Sequence, residues 1–424
     1  MTRAAGSPNR ALSPSAAPAV LDELRAFRWN GRATARAVTS VGLARARPIV
    51  VETFINEFWT SRQRAAHSLH EVSYRACFKP QLPRFFIDRF TAPGDVVYDP
   101  FMGRGTTVIE AALAGRTPAG CDINPLSAML AQPRLSPPTV EAVARRLAAL
   151  DLSLAVSYPK ELEVFYHPET LREICALREY LLARDRRGSL DGLDRWIRMV
   201  AVNRLTGHSP GFFSVYTLPP NQATSVDAQA RINARRRQVP PRRDVRALIL
   251  GKTRSLLADC DAATRAALLR SANRAALLTR PASSTPQLKG KSVSLVVTSP
   301  PFLDVVNYAG DNWLRGWFCG IDTSAVEMSV HRKVTEWQAA MTSVFRELAR
   351  VLRPGGHVAF EVGEVRGGKV KLEEAVLPCG VASGLEPLLV IINAQQFTKT
   401  ANCWGVRNNS KGTNTNRIAV FRKS

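Results

Sequence analysis

The spacing of apolar residues along the chain predicts a series of amphipathic helices. Apolar positions recur every three to four residues across residues 139–154, 168–186 and 190–204, and again along 334–352. The last of these runs ends at a Pro-Gly-Gly sequence that cannot continue a helix. Weaker helical patterns cover residues 84–90, 244–278 and 372–383.

Short apolar and β-branched runs lie between these helices and predict strands. They cover residues 95–99, 117–121, 292–297, 357–362, 387–393 and 417–422. Strands that alternate with helices indicate an α/β protein with a doubly wound, mostly parallel sheet. The last two runs have no helical pattern between them, so we expect them to pair antiparallel at the edge of that sheet.

One predicted strand, residues 292–297, ends in Thr298-Ser299-Pro300-Pro301-Phe302, which we name the proline loop. Two consecutive prolines cannot continue a ladder, so the chain must leave the sheet in an extended conformation. The loop offers a hydroxyl, a carbonyl and an aromatic ring within four residues. Such a set suits a flat heterocycle with an exocyclic amine. A cis-proline turn with a core phenylalanine explains the pattern equally well.

A second strand, residues 95–99, leads into Asp99-Pro100-Phe101-Met102-Gly103-Arg104-Gly105-Thr106, which we name the glycine loop. Gly103 and Gly105 allow backbone N–H groups to approach a ligand at the start of a helix. Two glycines do not complete a dinucleotide fingerprint, and a phosphate-binding Gly-Lys-Ser/Thr sequence does not follow. Asp122 ends the next strand, where it could hold ribose hydroxyls or cap the helix that opens at Pro125.

Composition points to a polyanionic partner. The chain of 424 residues has 58 Lys and Arg against 35 Asp and Glu, a net charge of +23. This excess favours nucleic acid first and an anionic membrane second, but no apolar run is long enough to predict a membrane span. Seven scattered cysteines favour a reducing compartment. His67 and His70 have no third ligand nearby, so we expect no metal site.

Arginines cluster near the middle of the chain. The cluster contains Arg231, Arg235, Arg236, Arg237, Arg242 and Arg243. Aromatic residues precede it at Phe212, Phe213 and Tyr216, and this combination is typical of a surface that contacts phosphates and bases. A solvated charged face is the alternative interpretation. Residues 1–48 are also basic and are rich in Ala, Ser and Pro, which predicts a flexible arm.

Taken together, the glycine loop and the proline loop resemble the cofactor and catalytic motifs of DNA amino-methyltransferases. The resemblance extends to residues 76–83, to 120–125, and to the helix, turn and strand of 334–362, about half of the chain in scattered blocks. It implies a Rossmann-like methyltransferase sheet and S-adenosylmethionine as cofactor. The implied cofactor-binding residues are Lys79, Asp99, Phe101, Gly103, Gly105, Thr106, Asp122 and Thr298, and the implied catalytic residues are Ser299, Pro300, Pro301 and Phe302.

The order of the motifs divides the chain. The glycine loop comes about two hundred residues before the proline loop, more than the intervening βα units need. By resemblance to the alpha-type arrangement of the family, the surplus is a mainly helical target-recognition insertion at 155–285. We therefore expect a cofactor-binding half at 49–154 and a catalytic half at 286–424.

A motif that begins with serine is typical of the family's cytosine-N4 enzymes, whereas aspartate or asparagine is typical of its adenine-N6 enzymes. The resemblance therefore implies methylation of the N4 amine of cytosine in duplex DNA, by base flipping and direct transfer. Double-stranded DNA is the expected partner, in the bacterial cytoplasm at the nucleoid, and a restriction endonuclease would be a separate protein. The alternatives are an adenine-N6 enzyme, an RNA amino-methyltransferase and a DNA-binding regulator with a decayed fold.

Overall fold

A nine-stranded sheet forms the centre of the computed structural model. The structure describes residues 16–43, 46–59, 66–75, 77–154, 156–220, 222–301, 303, 308–326, 331–365, 370–394 and 415–424. Within these residues the strands of the sheet are β3 (Ala35–Leu43), β4 (Ala46–Asn56), β5 (Val96–Asp99), β6 (Thr117–Asp122), β7 (Ala276–Thr279), β8 (Val293–Thr298), β9 (Leu352–Val362), β12 (Leu385–Ala394) and β13 (Thr415–Lys423). Two small hairpins, β1 (Arg28–Trp29) with β2 (Arg32–Ala33) and β10 (Glu364–Val365) with β11 (Val370–Lys371), lie outside it.

The strands lie in the order β3-β4-β12-β13-β9-β8-β5-β6-β7. Neighbours are parallel from β9 through to β7 and between β4 and β12, and they are antiparallel in the pairs β3–β4, β12–β13 and β13–β9. The predicted α/β class with a mostly parallel sheet is confirmed. The carboxyl ends of β5, β6 and β8 consequently meet at one edge of the sheet.

Thirteen helices accompany the sheet in the described part of the chain. They are α1 (Ala16–Ala26), α2 (Gln81–Phe90), α3 (Thr106–Leu113), α4 (Pro125–Leu135), α5 (Val140–Ala149), α6 (Pro168–Arg186), α7 (Gly192–Val202), α8 (Val226–Arg236), α9 (Val245–Leu256), α10 (Ala262–Ala272), α11 (Tyr308–Cys319), α12 (Val334–Val351) and α13 (Leu372–Val381). Side-chain caps fix many of their starts: Thr139, Asp191 and Ser225 each accept a hydrogen bond from the third residue that follows.

Both faces of the sheet are buried, which explains the near-continuous apolar runs of its central strands. On one face, Tyr98 and Val296 pack with α12 and α13. On the other face, Val97 and Val297 pack with α1 and α2. Within the described residues, no helix has the length and apolar character that a membrane crossing requires.

The prediction of a flexible arm does not hold for residues 16–43. This stretch contains α1, and β3 pairs along most of its length with β4. The side chains of β3 are mostly exposed because it is an edge strand, so its order comes from backbone hydrogen bonds that composition does not reveal. Residues 1–15 lie outside the described residues.

The final antiparallel pair, β12 and β13, forms as predicted but lies inside the sheet and not at its edge. β4, which the sequence analysis did not predict, pairs parallel to β12 and brings β3 with it. Residues 244–278, predicted as helical, are two helices and the strand β7. Because β7 belongs to the central sheet, the proposed insertion cannot extend unbroken to residue 285. Its helices also share one continuous core with α3, α4 and α5.

Candidate active site

A cavity of about 360 Å³ opens at the carboxyl ends of β5, β6 and β8, and we name it the strand-end cavity. Its volume falls in the range of small-molecule sites. Among the residues that line it are Asp99, Phe101, Gly103, Thr106, Asp122, Ser299 and Pro301. The glycine loop and the proline loop, predicted from separate stretches of sequence, therefore meet at one cavity.

Asp99 ends β5 at the bottom of the cavity and is 1% exposed. Its Oδ1 accepts hydrogen bonds from the Thr298 hydroxyl at 2.6 Å and from the Phe101 backbone at 3.0 Å. Burial raises the pKa of Asp99 to about 7, and the bond from Thr298 opposes that rise. Thr298 is itself fully buried and does not line the cavity, so it acts on the cavity only by holding Asp99.

The two glycines of the glycine loop have different reasons to be glycine. Gly103 has φ +48°, lines the cavity, and donates its N–H to Asp122 Oδ2 at 2.9 Å. Gly105 has φ +77° and does not line the cavity. A Cβ on Gly105 would lie 2.8 Å from the Cβ of Ala131, so the missing side chain makes room for α4. A cofactor-binding role for Gly105 remains a prediction.

Asp122 ends β6 and lines the same cavity. Its carboxylate accepts the backbone N–H groups of Gly103 and Asn124, each at 2.9 Å, while burial raises its pKa. The side chain of Asn124, not that of Asp122, caps α4. The helix-capping alternative for Asp122 is therefore wrong, and a cofactor-binding role for its carboxylate remains a prediction.

Arg104 lies between the two glycines and holds an upstream segment against the loop. Its buried guanidinium donates to the carbonyl of Val72 at 2.9 Å and to the hydroxyl of Thr106 at 3.2 Å. Lys79, downstream of that segment, does not line the cavity, and burial lowers its pKa. A cofactor-binding role for Lys79 remains a prediction. Nearby, the imidazole Nε2 of His70 lies 2.7 Å from Glu110 in the core.

Ser299 directly follows β8 and lines the cavity, and its hydroxyl lies near enough to the carboxylate of Glu361 to oppose the rise of that group's pKa. Glu361 is 7% exposed on the adjacent strand β9, and Asn416 Nδ2 donates to it at 3.1 Å. Burial raises the pKa of Glu361. The sequence analysis missed Glu361; the available signal was a single acidic residue within the apolar strand 357–362.

The prolines of the proline loop serve different purposes. Pro301 lines the cavity, and its carbonyl accepts a hydrogen bond from Trp337 Nε1 at 2.9 Å, which ties the loop to α12. Pro300 is buried and does not line the cavity. The cis-proline alternative is wrong for the described residues, where every peptide bond is trans. Phe302 lies outside the described residues.

The predicted arginine cluster separates into two groups. Arg231, Arg235, Arg236 and Arg237 are exposed, and the guanidinium of Arg236 stacks on the ring of Tyr216 at 3.8 Å. Tyr216 is 42% exposed, whereas Phe212 and Phe213 are buried. We name Tyr216 and these four arginines the arginine surface.

The other group, Arg242 and Arg243, is engaged in contacts with α6. Arg242 forms ion pairs with Glu169 at 2.6 Å and Glu173 at 2.8 Å. The backbone of Arg243 exchanges hydrogen bonds with the hydroxyl of Thr170. These contacts fix the loop before α9 to α6, which is a structural role that the sequence analysis did not anticipate.

Comparisons with known proteins match the part of the chain that carries the glycine loop and Asp122. Residues 48–132, which include the glycine loop and Asp122, match the model of a family described as DNA methylase. The chain is 36% identical over 74 residues to the type II methyltransferase M.MjaII of Methanocaldococcus jannaschii, covering 18% of this chain and 14% of that protein. It is 32% identical over 111 residues to the type II methyltransferase M.MvaI of Kocuria varians, covering 26% and 23%.

These alignments span less than a quarter of either relative. Among solved structures, the rRNA methyltransferase AviRa of Streptomyces viridochromogenes aligns with 86% of this chain and 94% of its own, at 12% identity and a TM-score of 0.35. The family match thus covers the segment that carries the glycine loop, and its boundaries leave the proline loop and the arginine surface outside.

Proposed function

We propose that the protein transfers a methyl group from S-adenosylmethionine to the exocyclic N4 amine of cytosine in duplex DNA. The observation that carries the proposal is the meeting of the glycine loop and the proline loop at one cavity. A methyl donor and a base must approach within reacting distance, and one shared cavity provides that proximity. The match of residues 48–132 to the DNA methylase family supports the same activity.

The acidic residues of the cavity suit the proposed cofactor. S-adenosylmethionine supplies an electrophilic methyl group on a positively charged sulfonium. Asp99 and Asp122 place two carboxyl groups at neighbouring strand ends, where one can attract the cationic methionine part and the other can accept hydrogen bonds from ribose hydroxyls. Phe101 and Gly103 complete the wall between them.

Ser299 and Glu361 suit the transfer itself. If the Ser299 hydroxyl donates to Glu361, its lone pairs are left to accept a hydrogen from the target amine. This contact localises the amine lone pair as the nitrogen–methyl bond forms and the sulfur–methyl bond breaks. The nitrogen then loses a proton, which Glu361 can take through Ser299. Because burial raises the pKa of Glu361, its carboxylate is a stronger base than an exposed one.

The arginine surface suits the DNA backbone. Exposed guanidinium groups bind phosphates without reading sequence, and a tyrosine ring can stack on an unpaired base. The target base must leave the duplex stack to enter the cavity. Arg242 and Arg243 are left out of this role because their contacts lie within the protein.

The product of the reaction tests the proposal. Purified protein is incubated with S-adenosylmethionine and either DNA or RNA, and the digested nucleosides are analysed by mass spectrometry. We expect N4-methylcytosine from DNA. N6-methyladenine would contradict the assignment of the base, and modification of RNA alone would contradict the assignment of the substrate. Cofactor binding without any methylated product would favour a regulator.

A further inference from the structure

Arg75 lines the strand-end cavity but was not among the residues predicted for the site. Its Nη1 donates to both carboxylate oxygens of Asp311, at 2.9 and 2.7 Å. The Arg75 side chain is 35% exposed and that of Asp311 only 10%. The more buried carboxylate therefore fixes the orientation of an arginine that faces solvent at the cavity entrance.

The guanidinium of Arg75 has two further hydrogen-bond donors, and they lie on one edge of the group. Both hydrogen bonds that the Arg75 side chain donates to described residues come from Nη1. Its Nε and Nη2 have no hydrogen-bond partner among the described residues. These two N–H groups point in parallel from one edge of the planar guanidinium. That edge matches two oxygens of a phosphate or carboxylate.

The charge around Arg75 also favours an anion. Arg315, which is 6% exposed, lies close enough to Asp311 for their charges to interact. Two guanidinium groups thus share one carboxylate, and the group Arg75–Asp311–Arg315 carries one surplus positive charge. A surplus charge at a partly exposed entrance attracts an anionic ligand.

Contacts of this group identify the side of the cavity on which it lies. The backbone carbonyl of Asp311 accepts the N–H of Ala223 at 3.0 Å, and Arg315 Nη2 donates to the carbonyl of Pro220. Both partners belong to the segment that connects Tyr216 to α8. This segment therefore joins the Arg75–Asp311–Arg315 group to Tyr216 of the arginine surface.

From this placement we infer that the Nε–Nη2 edge of Arg75 binds a backbone phosphate next to the flipped nucleotide. The inference rests on the proposed function, because only a nucleotide that leaves the duplex brings its phosphates to the cavity entrance. Asp311 orients the guanidinium, and Arg315 keeps the net charge positive. The carboxylate of the cofactor offers similar oxygens, so the experiment must separate the two anions.

The bases that the wild-type protein methylates are first mapped to identify the target site. The test then uses a DNA duplex that contains this site. In a second duplex, single methylphosphonates replace in turn the two phosphates that flank the target nucleotide. We expect one replacement to weaken wild-type binding roughly tenfold or more, because a hydrogen bond to a charged group is lost. Arg75→Gln should bind the unmodified duplex more weakly than wild type by the same factor. The same methylphosphonate replacement should not weaken its binding further. Its affinity for S-adenosylmethionine should be unchanged.

Arg353→Gln is the matched control. Arg353 pairs with Asp95 at 3.0 Å in a comparable arginine–aspartate pair, but Asp95 precedes β5 and lies about 13 Å along the strand from its cavity end. This variant should keep the full methylphosphonate response. If Arg75→Gln does not fold, Arg75→Lys replaces it and should show a smaller methylphosphonate response than wild type, because an ammonium contacts a phosphate only as a point charge and lacks the two-pronged edge.

Three outcomes would overturn the inference. Equal methylphosphonate responses of wild type and Arg75→Gln would show that Arg75 contacts neither phosphate. Weaker cofactor binding by Arg75→Gln with an intact response would assign the edge to the cofactor carboxylate. If the wild type methylates no DNA, the proposed function fails separately. In that case the salt dependence of binding to an unmodified duplex is measured for both variants. Equal salt dependence of Arg75→Gln and Arg353→Gln would show that Arg75 does not contact a DNA phosphate.

Discussion

Asp99 is a buried carboxyl group at the strand-end cavity, and its ionisation decides whether it can attract a cationic ligand. Its pKa of about 7 means that roughly half of the molecules carry the charge at neutral pH. A cationic ligand favours the ionised form. If Asp99 contacts the methionine part of S-adenosylmethionine, cofactor binding must therefore strengthen as the pH rises through this range.

We predict that wild-type affinity for S-adenosylmethionine rises about tenfold between pH 6 and pH 8, following the ionised fraction of a group with a pKa near 7. Calorimetry at several pH values measures the affinity. Asp99→Asn is the control, because the ratio of the two affinities removes the titration of the cofactor itself. A ratio that does not change with pH would remove Asp99 from the cofactor contact.

Most of the candidate site followed from sequence because parallel strands present their carboxyl ends at one edge. Asp99 ends one predicted strand, Asp122 and Ser299 follow the ends of two others, and the structure brings all three to the cavity. Glu361 and Arg75 could not be found in this way. Their proximity depends on the pairing of β8 with β9 and on the packing of α11, which no local pattern reports.

At the scale of elements, Gly105 links the glycine loop to the packing of α3 against α4. Its left-handed φ and the 2.8 Å approach of an added Cβ to Ala131 are separate obstacles to any side chain. The loop keeps its shape only while both conditions are met. Stability, more than ligand contact, should therefore respond to substitution at this position.

We predict that Gly105→Ala lowers the free energy of unfolding by about 2–5 kcal/mol, the sum of left-handed strain and overpacking. Gly115→Ala should lower it by only about 1–2 kcal/mol, because Gly115 has a similar φ of +73° and an added Cβ would have no neighbour within 4 Å. Urea unfolding measures both. Equal losses for the two variants would contradict the packing role of Gly105.

The two longest helices were predicted closely, for a physical reason. The three-to-four periodicity of α6 and α12 extends over many residues and places their bounds within one residue. β7 has only four residues and directly follows a helix, so its short apolar run could not be distinguished from the helical pattern before it. β4 contains Glu52, Thr53 and Asn56 among its apolar residues, and only its place between β3 and β12 makes it a strand of the sheet.

At the scale of the whole molecule, charge links the protein to its proposed substrate. The chain has a net charge of +23, and several of its arginines are engaged in ion pairs, whereas Arg231 and Arg235 are exposed and have no ion pair with a described residue. They lie one helical turn apart on one face of α8. A DNA backbone along this face would meet both side chains.

We predict that replacing Arg231 and Arg235 by Gln reduces the slope of log K against log salt concentration for duplex DNA by up to about 1.8. Replacing Arg186 and Arg187 by Gln is the matched control, since both are exposed and lie at the end of α6 and outside the arginine surface. Fluorescence anisotropy over a range of salt concentrations measures the slopes. Equal reductions would indicate a solvated charged face and no specific track for DNA.

The most direct test of the central claim is single-turnover methyl transfer to DNA by Ser299→Ala, with S-adenosylmethionine affinity measured on the same preparation. The account predicts a loss of rate of about a hundredfold or more with unchanged cofactor affinity, because one preorganised contact to the amine disappears. Glu361→Gln should slow transfer as well, since it removes the carboxylate that would take the amine proton through Ser299. Wild-type rates of transfer by Ser299→Ala would contradict the account, because the proline loop would then take no part in the reaction.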